Sequence, residues 1–303
     1  MFQTTIAKLL PKLPESFVWR FSKKYIAGKD QESLLSKAKI ENEKGANITV
    51  DILGEEIQNI EEAAYFFDQY MELIPKLADK NIDVNISIKP SMFGLKLDKE
   101  RCYQYYEQIL SHISQHESGF VRIDMEDSSY TSIEIELYEH FLQKYPKNVG
   151  LVIQAYLYRS HKDILQLMEK YPEYHLNFRL CKGIYVETPE HAYQDKQEVR
   201  ESYLRILKSM LKGGCYVGIA THDSWLVDMI LQWIKENNIP TKSYEFQCLC
   251  GVKENLKLSI IKKNIKNRVY IPYGKNWFAY STRRLKENPK MVNDIIKSFF
   301  SCK

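Results

Sequence analysis

Arg283 and Arg284 stand side by side shortly after Tyr280, and Tyr270 precedes them in a short β-branched run, Val269-Tyr270-Ile271. That run ends at Pro272-Tyr273-Gly274, a strand followed by a breaker. A helical pattern then starts near Asn276 and stops before Pro289. Tyr280, Arg284 and Glu287 share one face of it, and Arg283 and Glu287 form an i, i+4 pair. The N-terminal end of a helix already carries partial positive charge, so two cations there destabilise it unless an anion offsets them. Bidentate guanidinium contacts to a carboxylate or a phosphate would do so. The competing reading is a solvated arginine pair tied to Glu287.

The elements that position these groups follow one pattern from Gly45 onward, a β-type run and then a helical one. The runs predict strands at Ile48–Leu53, Val84–Ile88, Phe120–Ile123, Val149–Ala155, Leu176–Leu180, Tyr216–Ala220, Tyr244–Cys248 and Val269–Ile271. Between them lie helical faces such as Phe67/Tyr70/Ile74/Leu77, Cys102/Tyr106/Ile109/Ile113, Ile164/Leu167/Met168/Tyr171 and Val199/Tyr203/Ile206/Met210. The seventh helix, near Asn255–Ile265, has the weakest pattern. Eight alternations over about 250 residues without a long linker fit a (β/α)8 barrel better than a doubly wound sheet. The expected organisation is a helical segment over residues 1–44 packed on a barrel over residues 45–303. Nothing reads GxGxxG, so a nucleotide cofactor would have to be held some other way.

In such barrels the site lies at the C-terminal strand ends. Those ends deliver Glu55, Lys89, Asp124-Met125-Glu126, Gln154, Arg179 with Cys181-Lys182-Gly183, Thr221-His222, Gln247 with Leu249, and finally Tyr270 and the arginine pair. A single ionisable residue at a strand end is usually a cap or a solvated group; eight converging ends argue for a site. Lys89, Arg179, Lys182, Arg283 and Arg284 outnumber Glu55 and Asp124, with Glu126 expected to turn away by alternation. Such a mouth should recruit a substrate carboxylate and a cofactor pyrophosphate. Lys89 or Lys182 also fits a Schiff-base lysine of an aldolase-type barrel, and a barrel that binds without turnover is the non-enzyme alternative.

The 303 residues allow one large domain or two small ones, and 44% hydrophobic residues suffice for a full core. A net charge of +4 is too mild to point to nucleic acid. The six cysteines contain no CxxC and read as scattered thiols of an intracellular chain. Neither a signal peptide nor a membrane-spanning run is evident. Phe2 to Ile26 mixes Ile6, Leu9, Leu13, Phe17 and Trp19 with Lys8, Lys12, Arg20, Lys23 and Lys24. Such a basic amphipathic stretch either lies on a membrane surface or packs on its own domain. His112 and His116 are i, i+4, but no third ligand accompanies them, so no metal site is expected.

The motifs VRIDMED at 121–127, IQAYLYRS at 153–160, FRLCKGIY at 178–185, ATHD at 220–223, YEFQCLCG at 244–251 and VYIPYGKNWFAYSTRRLKENP at 269–289 resemble the proline dehydrogenases. YIAGKD at 25–30 and DILGEE at 51–56 extend the resemblance over nearly the whole chain. At this length the chain resembles the monofunctional bacterial form, being too short for the aldehyde dehydrogenase domain of the bifunctional proteins. The resemblance implies a distorted (β/α)8 TIM barrel with N-terminal helices and a noncovalent FAD. It implies oxidation of L-proline to Δ1-pyrroline-5-carboxylate, with electrons passed to a membrane quinone. It further implies a cytoplasmic protein, peripheral on the inner face of the cytoplasmic membrane if the basic N-terminal stretch makes that contact. By motif position, Lys89, Arg283 and Arg284 would hold the proline carboxylate, and Tyr270, Tyr280 and Leu249 would enclose the ring. Asp124 and Arg179 fall at the catalytic positions. Met125, Gln154, Arg179, Cys181, Lys182, Gly183, Thr221 and His222 fall at the flavin positions, and Glu55 at that of a gate acid. Three departures from the family pattern stand out: Pro90-Ser91-Met92 after Lys89, Ile184 after Lys182-Gly183, and Asp223 where asparagine is usual.

Overall fold

The computed structural model describes residues 15–54, 57–278 and 280–281. Within these, eight parallel strands close into a barrel in sequence order. They are β1 (Asn47–Ile52), β2 (Asn85–Ile88), β3 (Phe120–Ile123), β4 (Val149–Gln154), β5 (Asn177–Cys181), β6 (Tyr216–Ala220), β7 (Tyr244–Leu249) and β8 (Asn267–Tyr273). Helices α1 (Glu15–Ser22) and α2 (Gln31–Glu43) precede β1. Then α3 (Glu61–Asp79), α4 (Lys99–Ile113), α5 (Thr131–Lys144), α6 (Ser160–Lys170), α7 (Lys196–Lys212), α8 (Ser224–Glu236) and α9 (Glu254–Lys262) each follow a strand. The α/β barrel expected from the sequence is therefore the fold observed.

Each strand separates its two faces by chemistry. The residues turned toward the helices are apolar and fully covered: Ile48 and Val50, Ile86 and Ile88, Val121 and Ile123, Phe178 and Leu180, Val217 and Ile219, Val269 and Ile271. The alternate residues point into the barrel and are largely polar: Thr49 and Asp51, Asn85 and Ser87, Arg122, Arg179, Glu245 and Gln247, Arg268, all buried. Barrels of this type usually fill their centre with branched apolar side chains; this one fills it with hydrogen bonds. Two glycines make room for them. A Cβ at Gly150 would sit 2.4 Å from Arg122 Nη1, and one at Gly218 would sit 2.3 Å from Gln247 Nε2.

Most strand boundaries shift by no more than a residue from the sequence reading, and β8 is longer. Pro272, read as a breaker, continues the strand and pairs in register with Asp51. The reason lies in which side of the strand it faces. Pairing with β7 ends at Leu249 and Tyr270, so at residue 272 no ladder donor is needed on that side. The Pro272 carbonyl accepts from Ala27 N–H instead (2.9 Å). Helices begin where acidic caps call for them. Asp30 accepts from Ser33 N–H, Asp98 from Arg101 N–H, and Asp195 from the Gln197 and Glu198 N–H groups. The predicted helical faces are buried, with Cys102, Tyr106, Ile109 and Ile113 all inaccessible. The weakly patterned α9 exists, entered from Lys253 at φ +45°.

The helices before β1 contact the barrel at several points. The Trp19 and Trp277 rings meet edge to face with centroids 4.8 Å apart. Lys257 on α9 reaches Glu41 on α2 at 2.5 Å, both side chains being only 1% exposed. No described helix is long and apolar enough to cross a membrane.

Candidate active site

The centre of the barrel mouth is a charged network carried by six strands, β1, β2, β3, β5, β7 and β8. Lys89 follows β2 directly, and its ammonium lies 2.8 Å from Asp51 Oδ1 and 3.9 Å from Asp124 Oδ2. Asp124, just past β3, collects three more groups. Ser87 Oγ–H donates to its Oδ1 (2.6 Å), Arg179 Nη1–H to the same oxygen (2.9 Å), and Tyr270 O–H to Oδ2 (3.0 Å). Arg179 also donates through Nε to Gln247 Oε1 (2.6 Å), and its guanidinium lies 5.1 Å from the centre of the Tyr270 ring. These contacts hold Asp124 and Arg179 in single orientations beside Lys89, the arrangement expected of groups that position a small polar substrate.

Burial alone would discharge Lys89, but Asp51 and Asp124 outweigh it and keep the ammonium pKa above its ordinary value. The same burial pushes the Asp51 carboxyl up against the pull of Lys89. The Tyr270 hydroxyl is pushed far up by burial and by the carboxylate of Asp124, so it stays protonated and donates. Among the described residues the innermost layer is thus balanced, with Lys89 and Arg179 facing Asp51 and Asp124. Arg283 and Arg284, on which the expected cation excess rested, lie outside the described residues, as do the gate position Glu55 and Glu287.

Glu126 does not take its direction from strand alternation, because β3 ends at Ile123. It is drawn to the turn after Lys89, where Ser91 donates to it through N–H (2.9 Å) and Oγ–H (2.6 Å). Gln154 donates to the Glu126 carbonyl (2.6 Å) and is 1% exposed. Met125 is buried beside it, Leu249 is partly exposed at the end of β7, and Tyr280 is buried past β8.

A second group of residues gathers beyond β5 and β6. Lys182, Lys196 and Lys253 line a cavity of about 430 Å³ with Thr221, His222 and Asp223. Asp223 is gripped by Arg200 through two nitrogens (2.8 and 2.9 Å) and by Lys182 (2.5 Å). Those contacts, the Arg200 hydrogen bond first, hold its carboxyl well below the usual range, so its charge is fixed and offset. His222 Nε2 accepts from Leu249 N–H (3.0 Å), tying this group to the centre. Gly183 sits at φ +112°, and a Cβ there would strike the Tyr156 ring at 2.2 Å. Burial pushes the Cys181 thiol up to about 11, which leaves it neutral. An open, lysine-lined cavity at the N-terminal end of α8 suits phosphate groups, so the residues present fit the pyrophosphate of a dinucleotide cofactor.

Of the residues named from sequence, the structure brings Lys89, Asp124, Arg179 and Tyr270 together, and Lys182 with Thr221 and His222. Sequence reading missed Asp51 and Ser87 at the centre, named Gln247 only as a strand-end residue without a role, and missed Lys196, Arg200 and Lys253 at the cavity. The signal for the first three is their place on the polar, inward face of otherwise apolar strands. For the others only the fold brings them near. His112 and His116 face each other at 5.9 Å; among the described residues no group of three or more His, Cys, Asp or Glu is placed to hold a metal ion.

The family model described as proline dehydrogenase matches residues 34–296. The chain is 35% identical over 269 residues to proline dehydrogenase 2 of Bacillus subtilis strain 168, covering 89% of this chain and 87% of that one. It is 33% identical over 291 residues to proline dehydrogenase 1 of Bacillus subtilis subsp. natto, covering 96% and 94%. Its fold matches, with a TM-score of 0.80 and 27% identity, a crystal structure of proline utilization A (PutA) from Bdellovibrio bacteriovorus inactivated by N-propargylglycine. That match covers 88% of this chain and 32% of the larger one. With the charged centre and the adjoining lysine-lined cavity in the positions described, the chain belongs to the proline dehydrogenase family, enzymes that oxidise proline in its catabolism.

Proposed function

We propose that this protein oxidises L-proline to Δ1-pyrroline-5-carboxylate with a noncovalently held FAD, and that the electrons leave to a membrane quinone. The observation that carries the reading is the joining of two sites at one mouth. The Lys89–Asp51–Asp124–Arg179–Tyr270 network presents fixed charges and a hydroxyl for a small polar substrate, and the cavity around Lys182 is charged for phosphates. When bound, the flavin supplies the hydride acceptor at N5.

The protein's own part is binding and orientation. Lys89, with Arg283 and Arg284, would hold the proline carboxylate, and Tyr270, Tyr280 and Leu249 would enclose the ring. Asp124, fixed by Ser87, Arg179 and Tyr270, would orient Lys89 and the substrate. Gln154, Arg179, Lys182, Gly183, Thr221 and His222 would hold the flavin and its phosphates, with Met125 and Cys181 beside them. Glu55 would act as the gate acid when the substrate is absent. A cytoplasmic location against the inner face of the membrane follows from the quinone acceptor, and sedimentation with lipid vesicles tests it.

The deciding experiment is a spectrum. Purified protein should be yellow and should bleach anaerobically on addition of L-proline. Colourless protein trapped by borohydride with a carbonyl substrate would instead place it with the lysine aldolases, and yellow protein that no imino acid reduces would leave a binding barrel. N-Propargylglycine, which inactivates the Bdellovibrio protein, should inactivate this one too, and L-proline should protect. The arginine pair has its own test. A millimolar ligand is bound by about 4 kcal/mol, and truncating one partner of a buried charge pair typically costs ~2–5 kcal/mol. Arg283→Met or Arg284→Met should therefore nearly abolish proline binding while the flavin absorbance stays. An unchanged proline KM in either variant removes that assignment.

A further inference from the structure

The end of the barrel opposite the mouth holds a second cavity, of about 330 Å³, lined in part by Arg179 and Gln247 from the charged centre. At its wall lies Arg122, 3% exposed. Its Nη1–H donates to the carbonyls of Leu151 (3.2 Å) and Asn177 (2.9 Å), and its Nη2–H to Asn177 Oδ1 (2.5 Å). The Phe120 ring centre lies 4.9 Å from the guanidinium. All of these partners are neutral, and Arg122 Nε has none. The other buried cations each hold a carboxylate: Arg179 holds Asp124, Lys257 holds Glu41, and Arg268 holds Glu245 and Asp83. Among the described residues Arg122 has no such counter-ion.

A guanidinium taken out of water without a counter-charge is costly, and a buried cation is ordinarily paired or ligand-bound. Burial, with Arg179 and Arg268 nearby and only partly offset by the charge of Glu245, pushes the Arg122 pKa down to about 9, so at neutral pH it still carries its charge. Most of the surrounding carboxylate oxygens are committed elsewhere; Glu245 Oε2, buried without a hydrogen-bond partner, lies 3.6 Å from Lys266. Glu245 Oε1 accepts from Arg268 Nε (2.7 Å) and Gln247 Nε2 (2.8 Å), and Asp83 accepts from Arg268 and Asn47. Lys147 and Lys266 line the same cavity and are exposed. They form a cationic entrance to a buried, unpaired arginine, and that is the chemistry of an anion site.

We propose that this cavity at the floor of the barrel binds a small oxyanion, anchored by Arg122 and admitted past Lys147 and Lys266. The two sources of that chemistry are inorganic phosphate and a short carboxylate. The inference does not rest on the flavin reading, because Arg122, Lys147 and Lys266 have no part in it; Arg179 and Gln247 of the charged centre only line the cavity.

Calorimetric titration of the protein as purified, once with inorganic phosphate and once with succinate, tests it and tells the two sources apart. At least one of them should bind saturably. The double variant Lys147→Ala/Lys266→Ala should weaken that binding at least ~10-fold, about 1.4 kcal/mol, and Arg122→Gln should remove it. Lys196→Ala, which empties one cation from the cavity at the mouth, should leave it unchanged. If Arg122→Gln does not fold, the exposed lysines still decide the matter. Absence of binding by either anion overturns the proposal. Binding that survives in the lysine double variant and is lost in Lys196→Ala overturns it equally, since that anion sits in the mouth.

Discussion

At the scale of single residues, the site turns on how buried charges are paired. Lys89 and Asp51 lie 2.8 Å apart with little solvent access, so removing one leaves the other uncompensated. Lys89→Met should destabilise the protein by ~3–5 kcal/mol, read from urea midpoints, and raise the proline KM. Adding Asp51→Asn should recover much of the stability, because the stranded carboxylate is gone, but not the proline affinity. Recovery of both would show that Lys89 serves the fold rather than the substrate. Glu134 presents the opposite case. It is fully buried, its Oε1 accepts from Glu126 N–H (3.0 Å), and its Oε2 has no partner. Burial, with the charge of Glu126 added, pushes its carboxyl far above the ordinary range. An unfolded glutamate releases its proton near pH ~4.3, while the folded one keeps it. Stability from this group is therefore complete below that pH and is lost as pH rises toward the folded value. Glu134→Gln removes the dependence, so its stability relative to the native protein should grow between pH 5 and pH 7. Equal differences at the two pH values would refute the assignment.

At the scale of elements, what the sequence showed was periodicity and placement. The β-branched runs marked all eight strands, because strand faces packed under helices must be apolar. Asp124, Arg179 and Tyr270 were legible as groups at strand ends. Asp51 was hidden inside a strand whose end had already been assigned to Glu55. Nothing local says that it meets Lys89 from the next strand; that depends on the register of Asp51 with Ser87. Lys196 and Lys253 come from α7 and the entrance to α9, far apart in the chain, and only closure of the barrel brings them to one cavity. Pro272 was misread because a breaker in isolation is tolerated where the neighbouring ladder has ended. The loop after β5 yields a sharper prediction. Gly183 combines φ +112° with the Tyr156 ring where its Cβ would be. Gly183→Ala should cost ~1–3 kcal/mol and lower the flavin content of the purified protein more than its yield. A variant with full flavin content would show that the loop is not part of the cofactor cradle.

At the scale of the whole molecule, the first and last parts of the chain are locked together. β1 pairs with β8 through six residues, Asn47 to Ile52 against Arg268 to Tyr273, and Glu41 meets Lys257 with both side chains only 1% exposed. Lys257 also contacts Glu254 (2.6 Å), and Lys44 closes on Glu41 (2.9 Å). Lys257→Met should cost ~3–5 kcal/mol, and Glu41→Gln added to it should cost less than the sum of the two single changes. Strict additivity in a denaturation cycle would mean that the pair does not bind the two regions. The same seam governs how the protein comes to exist. A strand that needs the eighth as its neighbour has no partner while the ribosome is still building the middle of the chain. Its open edge stays unpaired until β8 has been made, so closure must wait for that strand, and the molecule that lacks it is the state in which a chaperone has most to shield.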